Sequence, residues 1–374
     1  MGKEWDAFVP QPVLWKECLR VLKPGGHLLA FGGTRTYDLV TLGLRIAGFE
    51  IRDTLQYVFG SGFPKSLDIS KAIDKQAGAE REVIGLSNRH GGGNRILENQ
   101  GDVGFATNGK TELTAPSTES AKQWQGWGSA LKPAYEPIVM ARKPLDGTIA
   151  ANTLKWGVGG INIDGCRVPL NGEDAPTGSA KRVYASNTYT EDKVYGDNKV
   201  TSTLGRFPAN FLHDGSEEVR ALFPDSKGQQ GDLLNHTRHS ESPNGIYGKI
   251  PPRHDAIKRE ESDTSAARFF YCAKASPSER TMGLPPGQFN RHATVKPLTL
   301  MRYCVRLVTP PGGKCLDPYM GSGTTGMACI AEGFDFVGME MEEPSFITAK
   351  ARIEGYQPEL TEFGNTTQLE LFSK

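Results

Sequence analysis

Leu316-Asp317-Pro318-Tyr319-Met320-Gly321-Ser322-Gly323-Thr324-Thr325 leads into Gly326 to Glu332, and Phe336-Val337-Gly338-Met339-Glu340 follows. Lys314 to Leu316 is a short apolar strand, Gly326 to Glu332 a helix, and Phe336 to Glu340 a second apolar strand ending in an acid. Glycine at 321 and 323 removes Cβ atoms from the turn and permits positive φ. The helix start leaves backbone N–H groups without intrahelical partners. In this topology an acid about 20 residues past the glycine turn is where a ribose-bearing ligand has its two hydroxyls bound. A P-loop is excluded, because no Gly-Lys-Ser/Thr closes the turn. Gly321, Gly323 and Gly326 satisfy Gly-x-Gly-x-x-Gly, so spacing alone leaves a dinucleotide open. A tight βα turn without a ligand is the plain alternative. The ordered run of strand, turn, helix, strand and acid weighs against it.

Outward from this unit the chain has regular ends and an irregular middle. Val13, Leu14, Cys18, Leu19 and Leu22 recur at helical spacing, and Lys23-Pro24-Gly25-Gly26 stops that helix. His27 to Phe31 reads as a buried strand, Leu39 to Ile46 as a helix ended by Gly48, and Glu50 to Phe59 as a longer strand. Residues 78–130 dissolve into Gly, Asn, Ser and Thr around Gly91-Gly92-Gly93-Asn94. Pro137 to Ala141 is one more strand. Residues 146–264 are again loop-rich, with Tyr184 to Tyr195, Arg206-Phe207 and His236 to His239 as their notable clusters. Regularity returns from Arg268 to about Gly355. The two regular blocks are expected to fold as one sheet around a long insertion, and long irregular segments in compact proteins commonly carry function.

Lys plus Arg and Asp plus Glu are equal at 43 each in 374 residues, so no net field draws the molecule to a polyanion, although a basic groove is compatible with neutrality. The six cysteines form no Cys-x-x-Cys, which argues against a zinc site or a disulfide framework and for a reducing cytoplasm. No run approaches the roughly 18 apolar residues of a membrane helix. His236 and His239 have no carboxylate or cysteine at metal-ligand spacing, so no metal is expected.

Asp317-Pro318-x-x-Gly321-Ser322-Gly323-Thr324-Thr325 closely resembles the cofactor motif of the amino-group DNA methyltransferases, which act on adenine N6 or cytosine N4. His292-Ala293-Thr294-Val295-Lys296-Pro297 is similar to that family's His-Pro-Thr-x-Lys-Pro segment, with Ala293 in place of the usual Pro. Leu22 to Phe31 resembles the strand after the family's catalytic motif, and Glu340, Phe346 and Ala349 to Ile353 its second strand and next helix. Residues 131–144 and 268–276 read like phage-type members. The order of the halves is that of the permuted beta class. The resemblance implies a doubly wound α/β fold dependent on S-adenosylmethionine, interrupted by a loop-rich insertion. By the same resemblance Gly321 and Gly323 admit the cofactor, Asp317 and Thr324 line the turn, Glu340 holds the ribose, and Thr294 and Lys296 flank the methionine moiety. The implied partner is double-stranded DNA with a flipped target base, adenine favoured over cytosine, in the setting of restriction–modification and phage enzymes.

The implied division of the chain is residues 1–77 as an incomplete catalytic side of the core, 78–130 an insertion, 131–145 a core strand, 146–264 target recognition, 265–355 the cofactor side and 356–374 a tail. Arg182, Lys193, Lys199, Arg206, Arg238, Arg253, Lys258 and Arg259 are candidate phosphate contacts, and Trp124, Trp127 and Trp156 stack or pack. For any one of them an ordinary surface or core role is the more common outcome.

The family's catalytic motif is Asp, Asn or Ser, then Pro-Pro, then an aromatic. An oxygen acceptor and a backbone carbonyl take the N–H bonds of the exocyclic amine, and the aromatic stacks on the flipped base. No such motif occurs here: Pro251-Pro252, Pro285-Pro286 and Pro310-Pro311 have no aromatic after them. Gly2 to Asp6 resembles the text that follows the motif, so the chain is expected to start at an internal methionine, without its catalytic strand and inactive alone. Cytosine C5 chemistry is set aside, because no cysteine follows a proline. A methyltransferase of the same fold acting on RNA or a small molecule, and a non-catalytic cofactor- or DNA-binding remnant, stay open as alternatives.

Overall fold

The computed structural model describes residues 9–60, 62, 66–88, 110–169, 205–225, 265–273 and 276–358. Packing divides the chain into two units, residues 1–60 with 135–374, and residues 61–134. Gly2 to Asp6, Gly91 to Asn94, Tyr184 to Tyr195, His236 to His239, Pro251-Pro252, Arg182, Lys193, Lys199, Arg238, Arg253, Lys258 and Arg259 lie outside the described residues.

The larger unit begins with α1 (Pro12–Val21), whose proline occupies a first-turn position where no N–H is needed. It continues through β1 (His27–Phe31), α2 (Tyr37–Ala47) and β2 (Glu50–Val58). Gly48 ends α2 in the left-handed region at φ 104°. The smaller unit holds α3 (Ile69–Gln76), β3 (Val83–Asn88), β4 (Lys110–Thr114) and α4 (Glu119–Gln123). The larger unit then resumes with β5 (Tyr135–Arg142), α5 (Ile149–Trp156), β6 (Phe211–His213), α6 (Glu217–Arg220) and β7 (Tyr271–Cys272). It closes with α7 (Leu298–Val308), β8 (Lys314–Asp317), α8 (Thr324–Glu332), β9 (Asp335–Gly338) and α9 (Glu343–Glu354). No described helix is long and apolar enough to cross a membrane.

A mixed five-stranded sheet runs β1-β5-β2-β6-β7, with β5 antiparallel to both neighbours and β2, β6 and β7 parallel. The alternation of β5 explains its central place. Ile138 and Met140 join a core with Leu55, Tyr57 and Leu212, while Val139 and Ala141 join one with Trp15, Val40 and Leu44. A strand buried on both faces has no polar alternate positions, and Ile138 to Ala141 has none.

The expectation of a single sheet needs correction. β8 and β9 form a separate parallel pair, and β8 bonds no other described strand. Side-chain packing by α7 joins them to the rest of the unit instead. Leu300, Tyr303, Cys304 and Leu307 face the five-stranded sheet, whereas Leu298, Met301 and Val305 face Met327, Ala328 and Cys329 of α8. Both sets recur at three- and four-residue spacing, so α7 carries two apolar stripes. Glu332 of α8 accepts from Arg302 and Arg306 of α7 at 2.7 Å each, and those cations hold its carboxyl low despite burial.

The middle of the chain is more regular than its composition predicts. β3 and β4 pair antiparallel, and α4 and α5 are capped by Thr118 and Thr148, whose hydroxyls accept from Ala121 and Ala151. In the smaller unit the buried Asp74 accepts from the N–H groups of Ser117 and Thr118, the Thr118 hydroxyl and Arg81.

Candidate cofactor site

β8 delivers Asp317 to the mouth of the turn. Its Oδ1 accepts from the Tyr319 N–H at 3.0 Å and its Oδ2 from the Thr325 hydroxyl at 2.6 Å. Burial raises the Asp317 pKa, opposed by these two bonds and reinforced by the nearby Glu340 charge. The turn is tied to the chain after β9 by Met339 N–H to Asp317 O (2.9 Å) and Met320 N–H to Met339 O (3.0 Å). β9 ends at Gly338, so Glu340 sits just past the strand. Its Oε2 accepts from the Gly321 N–H at 3.0 Å and its Oε1 from the Glu342 N–H at 2.9 Å. A carboxylate offers about four acceptor positions, and these two bonds leave the others for hydroxyl donors.

The glycines answer to different neighbours. Gly321 has φ 53°, and a Cβ there would lie 2.9 Å from Nε2 of His292, so the imidazole covers the turn. Gly323, at φ 82°, is the N-cap of α8, and a Cβ there would meet the backbone of Ala349 in α9 at 3.0 Å. Gly326 likewise faces Ile353 and Phe336. Close packing of α8 on α9 and β9 therefore requires the second and third glycines, whatever binds above the turn.

Below the turn lies Arg352, fully buried. It donates to the carbonyl and hydroxyl of Ser322 at 2.7 and 3.1 Å, to the Thr324 hydroxyl at 3.2 Å and to the carbonyls of Glu279 and Met282 at 2.9 and 3.4 Å. Burial lowers its pKa to about 10. The Thr324 side chain thus points into the protein beneath the turn. The segment containing His292 is fixed from the same side, for Arg280 donates to the carbonyls of Asn290 and His292, and Asn290 accepts from the His292 N–H at 3.0 Å. Burial lowers the His292 pKa, while Glu340 and Glu342 pull it upward.

Among the predicted site residues, the structure gathers Asp317, Gly321 and Glu340 on one side of the turn. Gly323 and Thr324 begin α8 behind it. Thr294 is exposed, its N–H donating to Nδ1 of His292 at 3.4 Å. Lys296 turns toward the five-stranded sheet, 2.5 Å from Oε1 of Glu136 and 5.0 Å above the Phe31 ring. Sequence reading missed the parts played by His292 and Arg352. His292 lay inside a quoted motif, but an arginine in α9 carries no local signal of a contact to Ser322. Of the described DNA-contact candidates, Arg206 lies over the Phe269 ring at 4.8 Å, Trp124 and Trp127 meet edge to face at 5.0 Å, and Trp156 donates to Asp146. No described group of His, Cys, Asp and Glu is arranged to hold a metal ion.

A family model for DNA methylases matches residues 3–350, nearly the whole chain. The chain belongs to that family, the N6/N4 class of DNA methyltransferases, whose methyl donor is S-adenosylmethionine. Among curated relatives, the type II methyltransferase M.SmaI of Serratia marcescens is 45% identical over 62 residues, 17% of this chain and 21% of the relative. The type II methyltransferase M.XycI of Xanthomonas campestris pv. cyanopsidis is 42% identical over 65 residues, again 17% and 21%. The chain thus spans about a fifth of the length of the curated relatives it matches. Among solved structures, the M1.HpyAVI–SAM complex is 15% identical, with 94% of this chain and 84% of that one covered at a TM-score of 0.37. TTHA0409 of Thermus thermophilus, a putative DNA modification methylase, is 12% identical over 91% of this chain and 75% of its own, at a TM-score of 0.32.

Proposed function

We propose that this chain binds S-adenosylmethionine on the turn between β8 and α8, and that the complete enzyme transfers its methyl group to an exocyclic amino nitrogen of DNA, adenine N6 in preference to cytosine N4. One observation carries the site: the Glu340 carboxylate is held against the Gly321 N–H with acceptor positions to spare. That is the chemistry a ribose with two free hydroxyls requires. The bound cofactor supplies an electrophilic sulfonium methyl. Glu340 accepts from the ribose, Gly321 keeps the turn low beneath the ligand, and Asp317, braced by Thr325, adds the second carboxylate. Gly323 and Thr324 set the start of α8, and Thr294 and Lys296 stand toward the methionine end. The preference for adenine rests on the motif resemblance. Duplex DNA with its target base flipped out is the substrate class, in a cytoplasmic restriction–modification or phage setting.

Titration of the purified chain with S-adenosylhomocysteine and, separately, NAD tests the site. Binding of the first, weakened at least about tenfold by Glu340→Ala, is expected. Preference for NAD, or wild-type affinity in Glu340→Ala, overturns the assignment. A methylation assay on duplex DNA tests the rest. Methylation at an exocyclic amino nitrogen supports the reading, and cofactor binding without methylation selects a non-catalytic remnant.

A further inference from the structure

Two thiols meet between β8 and α8, the elements on either side of the glycine turn. Cys315 is the second residue of β8, two places before Asp317, and Cys329 lies in α8, five places after Thr324. The Cys329 thiol donates a hydrogen bond to the Cys315 sulfur. The Thr309 hydroxyl lies 3.1 Å from the same sulfur. Both side chains belong to the core that α7 and α8 share, and both are free cysteines.

The two sulfurs are unlike. The bond from Cys329, helped by Thr309, holds the Cys315 thiol below its ordinary pKa, although burial and the Asp317 charge oppose this. The same contact, with burial, raises Cys329, so the shared proton stays there. Cys315 is partly exposed and within reach of a small oxidant, whereas Cys329 is fully buried. Burial pushes Cys166 and Cys304 up to about 12, which leaves them inert. A partly accessible thiolate touching a second thiol is the arrangement of an attacking and a resolving cysteine.

We propose that hydroperoxide oxidises Cys315 and Cys329 to a reversible disulfide, and that this bond weakens ligand binding on the turn. The Cys315 thiolate attacks one peroxide oxygen, the O–O bond breaks, and the other oxygen leaves as hydroxide. The Cys329 sulfur then displaces hydroxide from the Cys315 sulfenic acid, and its own proton leaves with that hydroxide as water. Two thiols lose two electrons, and hydrogen peroxide becomes two waters. A disulfide sets its sulfurs about 2.05 Å apart, so β8 is drawn onto α8. Asp317 in β8 holds Thr325 of α8 at 2.6 Å and also accepts from Tyr319 and Met339, so moving the strand displaces the turn. The effect on binding rests on the cofactor reading, and the formation of the bond does not.

The test compares the full chain before and after hydrogen peroxide, with free thiols then blocked by iodoacetamide. Cys315 and Cys329 share one tryptic peptide, residues 315–350, which holds no other cysteine. After oxidation that peptide is expected without an alkyl group on either cysteine and lighter by the two lost hydrogens. S-adenosylhomocysteine affinity is expected to fall at least about tenfold and to return with dithiothreitol, which does not repair methionine sulfoxide. Cys315→Ala and Cys329→Ala should each bind within about twofold of the reduced wild type and show no loss that dithiothreitol reverses. Alkylation of both cysteines after peroxide overturns the proposal. So does a disulfide-bonded chain that binds as the reduced chain does, or a reversible loss that persists in both variants. A reduced chain that binds no S-adenosylhomocysteine overturns the cofactor reading and the switch built on it, and the peptide mass tells that failure from the others.

Discussion

One guanidinium nitrogen of Arg352 donates to both the carbonyl and the hydroxyl of Ser322, across 30 residues of chain. The same side chain reaches Glu279 and Met282, so the turn under the proposed cofactor and the segment leading to His292 share one support. Buried carbonyls left without a donor cost about 1–3 kcal/mol each. Arg352→Met is therefore expected to lower unfolding stability by about 2–4 kcal/mol in urea and to weaken S-adenosylhomocysteine binding. Arg352→Lys keeps the charge but not the planar fan of donors, and should fall between Met and wild type. Equal stability and affinity in all three proteins would show that the turn stands without this brace.

Gly323 and Gly157 separate conformational strain from collision. Both have positive φ, 82° and 70°, yet a Cβ on Gly157 meets nothing within 4 Å, while one on Gly323 meets the Ala349 backbone at 3.0 Å. Gly157→Ala should cost about 1 kcal/mol, from strain alone. Gly323→Ala should cost about 3 kcal/mol, because α9 must also shift. Chemical denaturation of the two variants checks the difference, and equal losses would remove the packing explanation for Gly323.

The parts of the fold that were legible are those with strong local signals. His27 to Phe31 is a strand as read, Gly48 ends α2, and the run from Lys314 through Glu340 has the expected order of strand, turn, helix and strand. What escaped reading depends on distant partners. β3 and β4 pair across a segment of polar composition, and α7 carries two apolar stripes because two separate cores meet on it. The single sheet expected from the two regular blocks fails for a related reason, since strand order is set by neighbours that hydrophobic periodicity does not name. In the site, spacing brought Glu340 to the turn, but it could not show that Lys296 pairs with Glu136 or that Thr324 faces Arg352.

His292 gives the site a pH dependence with a definite sign. Burial lowers its pKa below the ordinary 6.5, although Glu340 and Glu342 oppose the shift. A depressed imidazole means the unfolded chain binds the proton more readily. Its stabilising contribution is complete above pH 6.5 and is lost as pH falls through the folded value. An NMR titration of the His292 ring should give a midpoint below 6.5. S-adenosylhomocysteine affinity should decline over the same range, because a protonated ring draws on the Glu340 carboxylate. His292→Gln should flatten that decline. A midpoint at or above 6.5 would contradict the burial argument.

Asp74 makes the converse case in the smaller unit. Burial alone would raise its pKa, but the Ser117 N–H, the hydroxyl and N–H of Thr118, and Arg81 together hold it near 2. Arg81 also donates to the side chain and carbonyl of Thr114, so one carboxylate organises the end of β4, the entry to α4 and the last turns of α3. Its unfolded value is 3.8, so the stabilisation is fully present above that pH and is lost as pH falls through about 2. Hydrogen exchange at the Ser117 and Thr118 amides should be slow at neutral pH in the wild type and faster in Asp74→Asn. As the solution is acidified through that window, after correction for intrinsic exchange rates, the two proteins should converge. Protection of both amides in Asp74→Asn at neutral pH would mean that the loop is held by something other than this carboxylate.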